Sequence, residues 1–271
     1  PVPSEAHGSA ADAPTMARAP VEPMISEAAR AALDAAVNAP SAISGPPPNT
    51  PPPAQSPPMS PASPDAQSPA VVMSAPASTG HGGAADQAHG LQILRDEIGD
   101  CTRCPLHAGR TELVYGVGAP GARLMMIADG PGPGEDETGL PFVDEAGLLL
   151  GRMIRAMGLR RSDVYLTYLV KCRSQGIHPE AGLEACSDFL ARQVSLVQPE
   201  VIIALGDLAA RRVTGREEAF PRLRGQWFEY RGVPIIPTFH PVALLQNPRS
   251  KALVWSDLQS VMRRMGLKQP R

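Results

Sequence analysis

The chain has 271 residues, 43% of them hydrophobic and 4% aromatic, with 25 basic and 27 acidic side chains. That length accommodates one domain with a substantial core plus additional chain. No stretch approaches the ~20 apolar residues of a membrane span, which excludes a helical membrane protein. The net charge is uneven: residues 1–90 carry 2 basic and 7 acidic side chains, and 91–271 carry 23 and 20. This small positive excess permits nucleic-acid binding without arguing for it.

Residues 1–90 hold 18 of the 31 prolines and no Phe, Trp or Tyr. Such a Pro/Ala/Ser-rich segment buries too little apolar surface to offset its ordering entropy, so it is expected to be a disordered tail. Within it, Ser26 to Asn38 is Ala-rich and reads as a nascent helix with Leu33 and Val37 on one side. The runs Pro46–Pro48 and Pro51–Pro53 favour polyproline II, either as a stiff linker or as a ligand for a protein partner. The N-terminus lacks a basic start followed by an apolar core, so no secretion signal is expected. Reduced thiols in the cytoplasm fit better than disulfides.

Residues 91–271 are expected to form the folded domain. Leu91 to Ile98 reads as a short helix. Arg123 to Ala128 reads as a buried strand, and Glu145 to Met157 as a helix with Leu148, Leu149, Met153 and Met157 on its period. Asp163 to Val170 is a second strand, Pro179 to Val197 a helix, and Glu200 to Leu205 a third strand. A short helix over Gly206 to Val213 follows. Trp227 to Tyr230 and Val233 to Pro237 pair as a hairpin around Arg231-Gly232, and Lys251 to Met265 closes the chain as a helix. Strands alternating with helices predict a three-layer α/β/α fold with a central, largely parallel sheet. Ligands bind such sheets at the carboxyl ends of the strands. That directs attention to the loops after Ala128, after Val170 and around His240.

Cys101 and Cys104 form a C-x-x-C pair, Cys172 follows after 67 residues, and Cys186 after 13 more. There is no fifth cysteine, so the set is complete as one tetrathiolate site, and four soft thiolates select zinc or an iron–sulfur cluster. The spacing is not that of a zinc ribbon or finger, which use two close pairs. Cys186 shares a helix face with Leu183, Leu190 and Val194 and should point inward. Four unrelated buried cysteines are the bland alternative. A redox pair is disfavoured because the C-x-x-C follows a helix and not a strand.

The loop Ala128-Asp-Gly-Pro-Gly-Pro-Gly-Glu-Asp136 is neither a Walker loop nor a dinucleotide fingerprint. Its glycines and prolines build a rigid turn whose backbone can approach a ligand. Asp129 directly follows an apolar strand and is aimed into the cleft, whereas Asp136 and Glu137 read as solvated acids. The loop Thr238 to Leu245 carries His240-Pro, a weak signal alone. It gains weight from the acid at the end of another strand.

Together these stretches resemble the uracil-DNA glycosylase superfamily, specifically the iron–sulfur type called family 4. The resemblance covers nearly all of 91–271. Its pieces are Cys101–Cys104, Tyr115-Gly-Val-Gly118, Asp129 to Asp136 with Gly139-Leu-Pro-Phe-Val143, and Val170-Lys-Cys-Arg173 with Cys186. Val201 to Gly206, Leu223-Arg-Gly225 and His240-Pro with Leu244-Leu245 complete it.

The resemblance implies a [4Fe-4S] cluster on Cys101, Cys104, Cys172 and Cys186. It also implies hydrolysis of the N-glycosidic bond of a deaminated base flipped out of DNA. His240 would donate to the leaving base, Asp129 would supply the carboxylate near the sugar, and Phe142 would stack on the base. Gly130 would contact the base through its backbone, and Glu135 occupies the family's second loop acid. Lys171, Arg173, Arg249 and Lys251, with Arg222 and Arg224, lie in or beside matched motifs and can line a phosphate track. The expected partner is DNA containing a deaminated base, bound by a monomer with no membrane association.

The pocket departs from the family. Asp129 stands where Glu is usual; the loss of one methylene shifts its reach by about an ångström, enough to cost on the order of 100-fold in rate. Tyr168 replaces an Asn that offers donor and acceptor side by side, and its ring can fill the pocket. Asp144, Val242 and Gln246 replace the usual Gly, Ser and Arg. Three readings follow: an active glycosylase with altered efficiency or base preference, an iron–sulfur DNA-binding relative with little or no excision, or a protein acting on something other than DNA.

Overall fold

The computed structural model describes residues 83–175 and 179–268. The sequence readings at 26–38, 46–48 and 51–53 lie outside them. The first helix, α1 (Ala84–Ile98), begins ahead of the expected start at Leu91 and runs through residue 90, where the sequence placed the domain boundary. It docks Leu91, Leu94 and Ile98, and the Tyr115 hydroxyl donates to the Leu91 carbonyl at 3.0 Å.

The sheet contains β1 (Leu124–Ala128), β2 (Val164–Tyr168), β3 (Val201–Leu205), β4 (Phe228–Tyr230) and β5 (Val233–Thr238) in the order β2-β1-β3-β5-β4. The pairs β1/β2, β1/β3 and β3/β5 are parallel; only the hairpin β4/β5 is antiparallel. At the β2 edge, Val117 and Leu166 exchange backbone hydrogen bonds of 2.9 and 2.8 Å. Gly118 allows that approach, since its φ is +150° and a β-carbon there would lie 2.2 Å from the Val164 carbonyl oxygen.

The first three strands are buried on both faces, as their unbroken apolar runs require. Side chains alternate between two cores. Met126, Leu166 and Ile203 meet α3 (Glu145–Ala156) and α8 (Lys251–Arg264) on one face. Met125, Ile202 and Ile235 meet α4 (Leu183–Val197) and α5 (Asp207–Thr214) on the other. This is the expected three-layer α/β/α fold. Within α3 the buried stripe is Leu149, Leu150, Met153 and Ile154, while Leu148 is only half-buried.

Two segments expected as loops contain short helices, α2 (Pro133–Thr138) and α7 (Pro241–Gln246). Each starts with Pro, whose fixed φ and missing N–H suit the first helical position. A further turn, α6 (Phe220–Leu223), precedes β4. Among the described residues, no helix is long and apolar enough to cross a membrane.

Candidate active site

The carboxyl ends of β1, β2, β3 and β5 deliver Asp129, Tyr168, Gly206 and His240 to one edge of the sheet. Asp129 Oδ1 accepts a 2.8 Å hydrogen bond from the Ala209 amide in the first turn of α5. Gly206 has φ +102°, and a β-carbon on it would stand 3.5 Å from both Asp129 Oδ2 and the His240 β-carbon. The positive φ is what requires a glycine in this turn, and a β-carbon there would be in ordinary contact with both groups. Burial pushes the Asp129 carboxyl up to about 6, against the Ala209 amide, which favours the carboxylate.

His240 is the N-cap of α7, and its Nδ1 accepts from the Val242 amide at 3.2 Å. A neutral ring with Nδ1 accepting carries its proton on Nε2, which makes Nε2 a donor. Burial pulls the imidazole down to about 4, so the ring is neutral at physiological pH. The Phe142 ring stacks against His240, with centroids 6.1 Å apart, and meets the Tyr168 ring in a tilted contact at 5.0 Å. Phe142 is buried and holds a φ of +57°, an unusual conformation for a bulky residue.

The glycine-rich loop is held by its own acids. Glu135 Oε2 accepts from the Gly132 amide at 3.1 Å, and Oε1 from the Val143 amide at 3.2 Å. Glu135, at the position of the family's second loop acid, uses both its oxygens inside the loop, next to Phe142. Gly130 lies where a β-carbon would meet Val170 Cγ2 at 2.8 Å. Asp136, expected to be solvated, is buried and accepts from the Thr111 amide at 2.9 Å, while Glu137 is exposed as expected.

Among the basic residues, Arg249 and Lys251 are exposed just beyond α7, and Arg173 is partly exposed with a guanidinium nitrogen 3.9 Å from Asp136 Oδ2. Lys171 corrects the sequence expectation. It is 1% exposed, and its Nζ donates at 2.7 Å to Thr167 Oγ1, the Tyr168 carbonyl and Gln193 Oε1. Burial pulls this amine down to about 7, and its nitrogen faces core acceptors instead of a phosphate. Arg224, also expected near DNA, donates to Asp257 at 2.6 Å. Sequence reasoning missed Asp257, Gln193 and Arg161. Arg161 follows Arg160 in a turn, and nothing in that pattern distinguishes it from a solvated charge.

Cys104, Cys172 and Cys186 pack into one cluster with Leu106 and Val170. Arg103 Nη1 donates to Cys101 Sγ at 3.3 Å and Arg110 Nη1 to Cys172 Sγ at 3.1 Å, while Arg110 also holds the Cys101 carbonyl at 2.6 Å. Burial raises the Cys172 and Cys186 thiols, and neighbouring cysteines raise them further. Such a set stays thiolate most readily around positive metal. Among the described residues no three ligating side chains meet closely enough for a single ion; a cluster, with one iron per thiolate, accepts a wider spread. The donor set fits an iron–sulfur cluster, which would cross-link the segments carrying Cys101, Cys172 and Cys186.

A doubly covered, largely parallel sheet presenting a buried carboxylate, a neutral imidazole and an aromatic ring at its carboxyl edge defines an α/β protein with a candidate active site at that edge. The family profile described as "Uracil DNA glycosylase superfamily" matches residues 115–259. The type-4 uracil-DNA glycosylase of Thermotoga maritima is 40% identical over 175 residues, 62% of this chain and 91% of that protein. The type-4 enzyme of Archaeoglobus fulgidus is 36% identical over 191 residues, 66% of this chain and 96% of that protein. The type-5 uracil-DNA glycosylase of Pyrobaculum aerophilum is 29% identical over 162 residues, 53% of this chain and 70% of that protein. The chain belongs to the uracil-DNA glycosylase superfamily, and within it to the type-4 family.

Proposed function

We propose that the chain excises uracil, or another deaminated base, from DNA by hydrolysing the N-glycosidic bond. The observation that carries this reading is the placement of Asp129 and His240 on either side of Gly206, with the Phe142 ring stacked on His240. Cleavage separates the sugar C1′ from the base nitrogen; the electron pair leaves with the base, and water adds to C1′ and releases a proton. His240 Nε2–H donates to the base oxygen that gains negative charge. Asp129, ionised above about pH 6, stabilises the positive charge growing on the sugar and orients the water. Phe142 stacks on the flipped base, and the crowded Gly130 brings its backbone against it.

The finer expectations belong to the same reading. Cys101, Cys104, Cys172 and Cys186 hold a [4Fe-4S] cluster, supported by the all-thiol donor set and its arginine neighbours. Arg173, Arg249 and Lys251 contact the phosphate backbone, supported by their exposure. The proline runs of the tail support a protein partner, and four cysteines committed to a cluster instead of to disulfides support a reducing, cytoplasmic setting.

The test is release of uracil from a labelled oligonucleotide by cluster-loaded protein, read by alkaline strand cleavage. Release that disappears in His240→Ala supports the reading. Intact, iron-loaded protein that releases neither uracil nor another deaminated base overturns it and favours a DNA-binding role.

A further inference from the structure

One peptide unit in the site is held from both ends. Arg161 Nη2 donates to the Pro141 carbonyl at 2.7 Å, and the amide of the same peptide, Phe142 N–H, donates to the Tyr168 hydroxyl oxygen at 3.1 Å. Arg161 Nη2 also donates to the Phe142 carbonyl at 3.1 Å, and its Nη1 to the Gly147 carbonyl at 3.5 Å. Among the described residues no carboxylate forms an ion pair with Arg161. The guanidinium is partly buried, is held by carbonyls alone, and stays charged.

The consequence is a directed chain: guanidinium, carbonyl, amide, hydroxyl. Hydrogen bonds in such a chain polarise one another in the same sense. The hydroxyl oxygen accepts from Phe142, so its own hydrogen is left to donate, and among the described residues it meets no acceptor. Burial and the Glu135 charge both favour the protonated phenol. Tyr168 lies in register with Ala128, the residue before Asp129, and its ring packs on Phe142.

We propose that Tyr168 is a specificity-determining residue that presents a single hydrogen to the flipped base, and that Arg161 strengthens this donor through the Pro141–Phe142 peptide. The inference rests on the glycosylase reading. A lone donor pairs with a base carbonyl oxygen. An exocyclic amine at the same place sets donor against donor and leaves both buried without a partner, which a binding site rejects strongly. The site therefore accepts uracil and refuses cytosine. Arg161 is a positioning residue: it touches no substrate and acts through the peptide and Tyr168.

The test is a double-mutant cycle on the full, iron-loaded chain with Tyr168→Phe, Arg161→Gln and both together. Each single variant should slow uracil excision in kcat about tenfold, and the double variant should be no slower than Tyr168→Phe. Arg161→Lys, which keeps the charge, should recover most of the rate. An unchanged rate in Tyr168→Phe overturns the proposal. So does a loss from Arg161→Gln that is equal in the Tyr and Phe backgrounds, since a purely structural arginine would behave that way. Binding to oligonucleotides with 2′-fluoro-2′-deoxyuridine or 2′-fluoro-2′-deoxycytidine separates this idea from the activity itself. If wild-type protein fails to excise, the glycosylase reading falls, and the affinities still judge Tyr168. A preference of about tenfold for uracil that vanishes in Tyr168→Phe sustains the proposal; no preference, or one that survives, overturns it.

Discussion

The Thr238 hydroxyl donates a 2.6 Å hydrogen bond to the Asp257 carboxylate, tying the last residue of β5 to α8 two positions before His240. Arg224 binds the same carboxylate at 2.6 and 2.9 Å, and a β-carbon on Gly225 would stand 2.8 Å from it. The imidazole is thus carried on a strand end clamped from behind by a buried ion pair.

Asp257→Ala should therefore cost about 3 kcal/mol of stability, because it strands a largely buried guanidinium. Urea unfolding would show this as a lower midpoint with an unchanged slope. Because the clamp lies beneath His240, excision should fall by more than the unfolded fraction explains. A variant as stable and active as wild type would mean that Thr238 holds its place without the carboxylate.

Acid should act on Asp129 and His240 in opposite directions. Asp129 titrates near 6 in the fold against 3.8 in its absence, so between those values the fold binds the extra proton and gains stability as the pH falls. His240 titrates near 4 in the fold against 6.5, so between those values the unfolded chain binds the proton and stability is lost as the pH falls. His240→Asn should therefore gain stability relative to wild type on going from pH 8 to pH 5. Excision should lose activity below about pH 6 as Asp129 protonates, with the imidazole still neutral. An acid limb lying near 4 would assign the essential ionisation elsewhere.

Salt dependence separates surface cations from buried ones. Arg249→Ala and Lys251→Ala should each lower the slope of log affinity against log salt by roughly 1. Lys171→Met should leave that slope unchanged while destabilising the fold, because its three acceptors lose their donor. A reduced slope for Lys171→Met would mean that the lysine leaves the core when DNA binds.

Protein purified without oxygen should be brown, with about four irons per chain. Cys172→Ser should lose iron and lower the melting temperature, since a cluster on these cysteines would join distant segments. A colourless protein with stoichiometric zinc would overturn the assignment.

The sheet was legible because β1, β2 and β3 are unbroken apolar runs between amphipathic helices. Asp129 and His240 were legible because each follows such a run at the edge where ligands bind. The glycine-rich loop was half legible. Its rigidity follows from composition, but the inward turn of Glu135 and Asp136 depends on loop amides that no pattern reveals. Lys171 was misjudged because charge beside a matched motif suggests phosphate, whereas Thr167, Gln193 and a free carbonyl make a polar slot inside the core. The roles of Arg161 and Asp257 arise from tertiary contacts across 19 and 20 residues in sequence for the first and 19 and 33 for the second, a separation that local reading does not span.

Among the described residues, the sheet offers another chain only short margins to extend. One flank ends in the three-residue β4, and the other is covered where Val117 bridges Leu166. Exposed strand edges are templates for stacking between molecules. A three-residue edge on one side and a bridged one on the other make this sheet a poor template for pairing with a second copy.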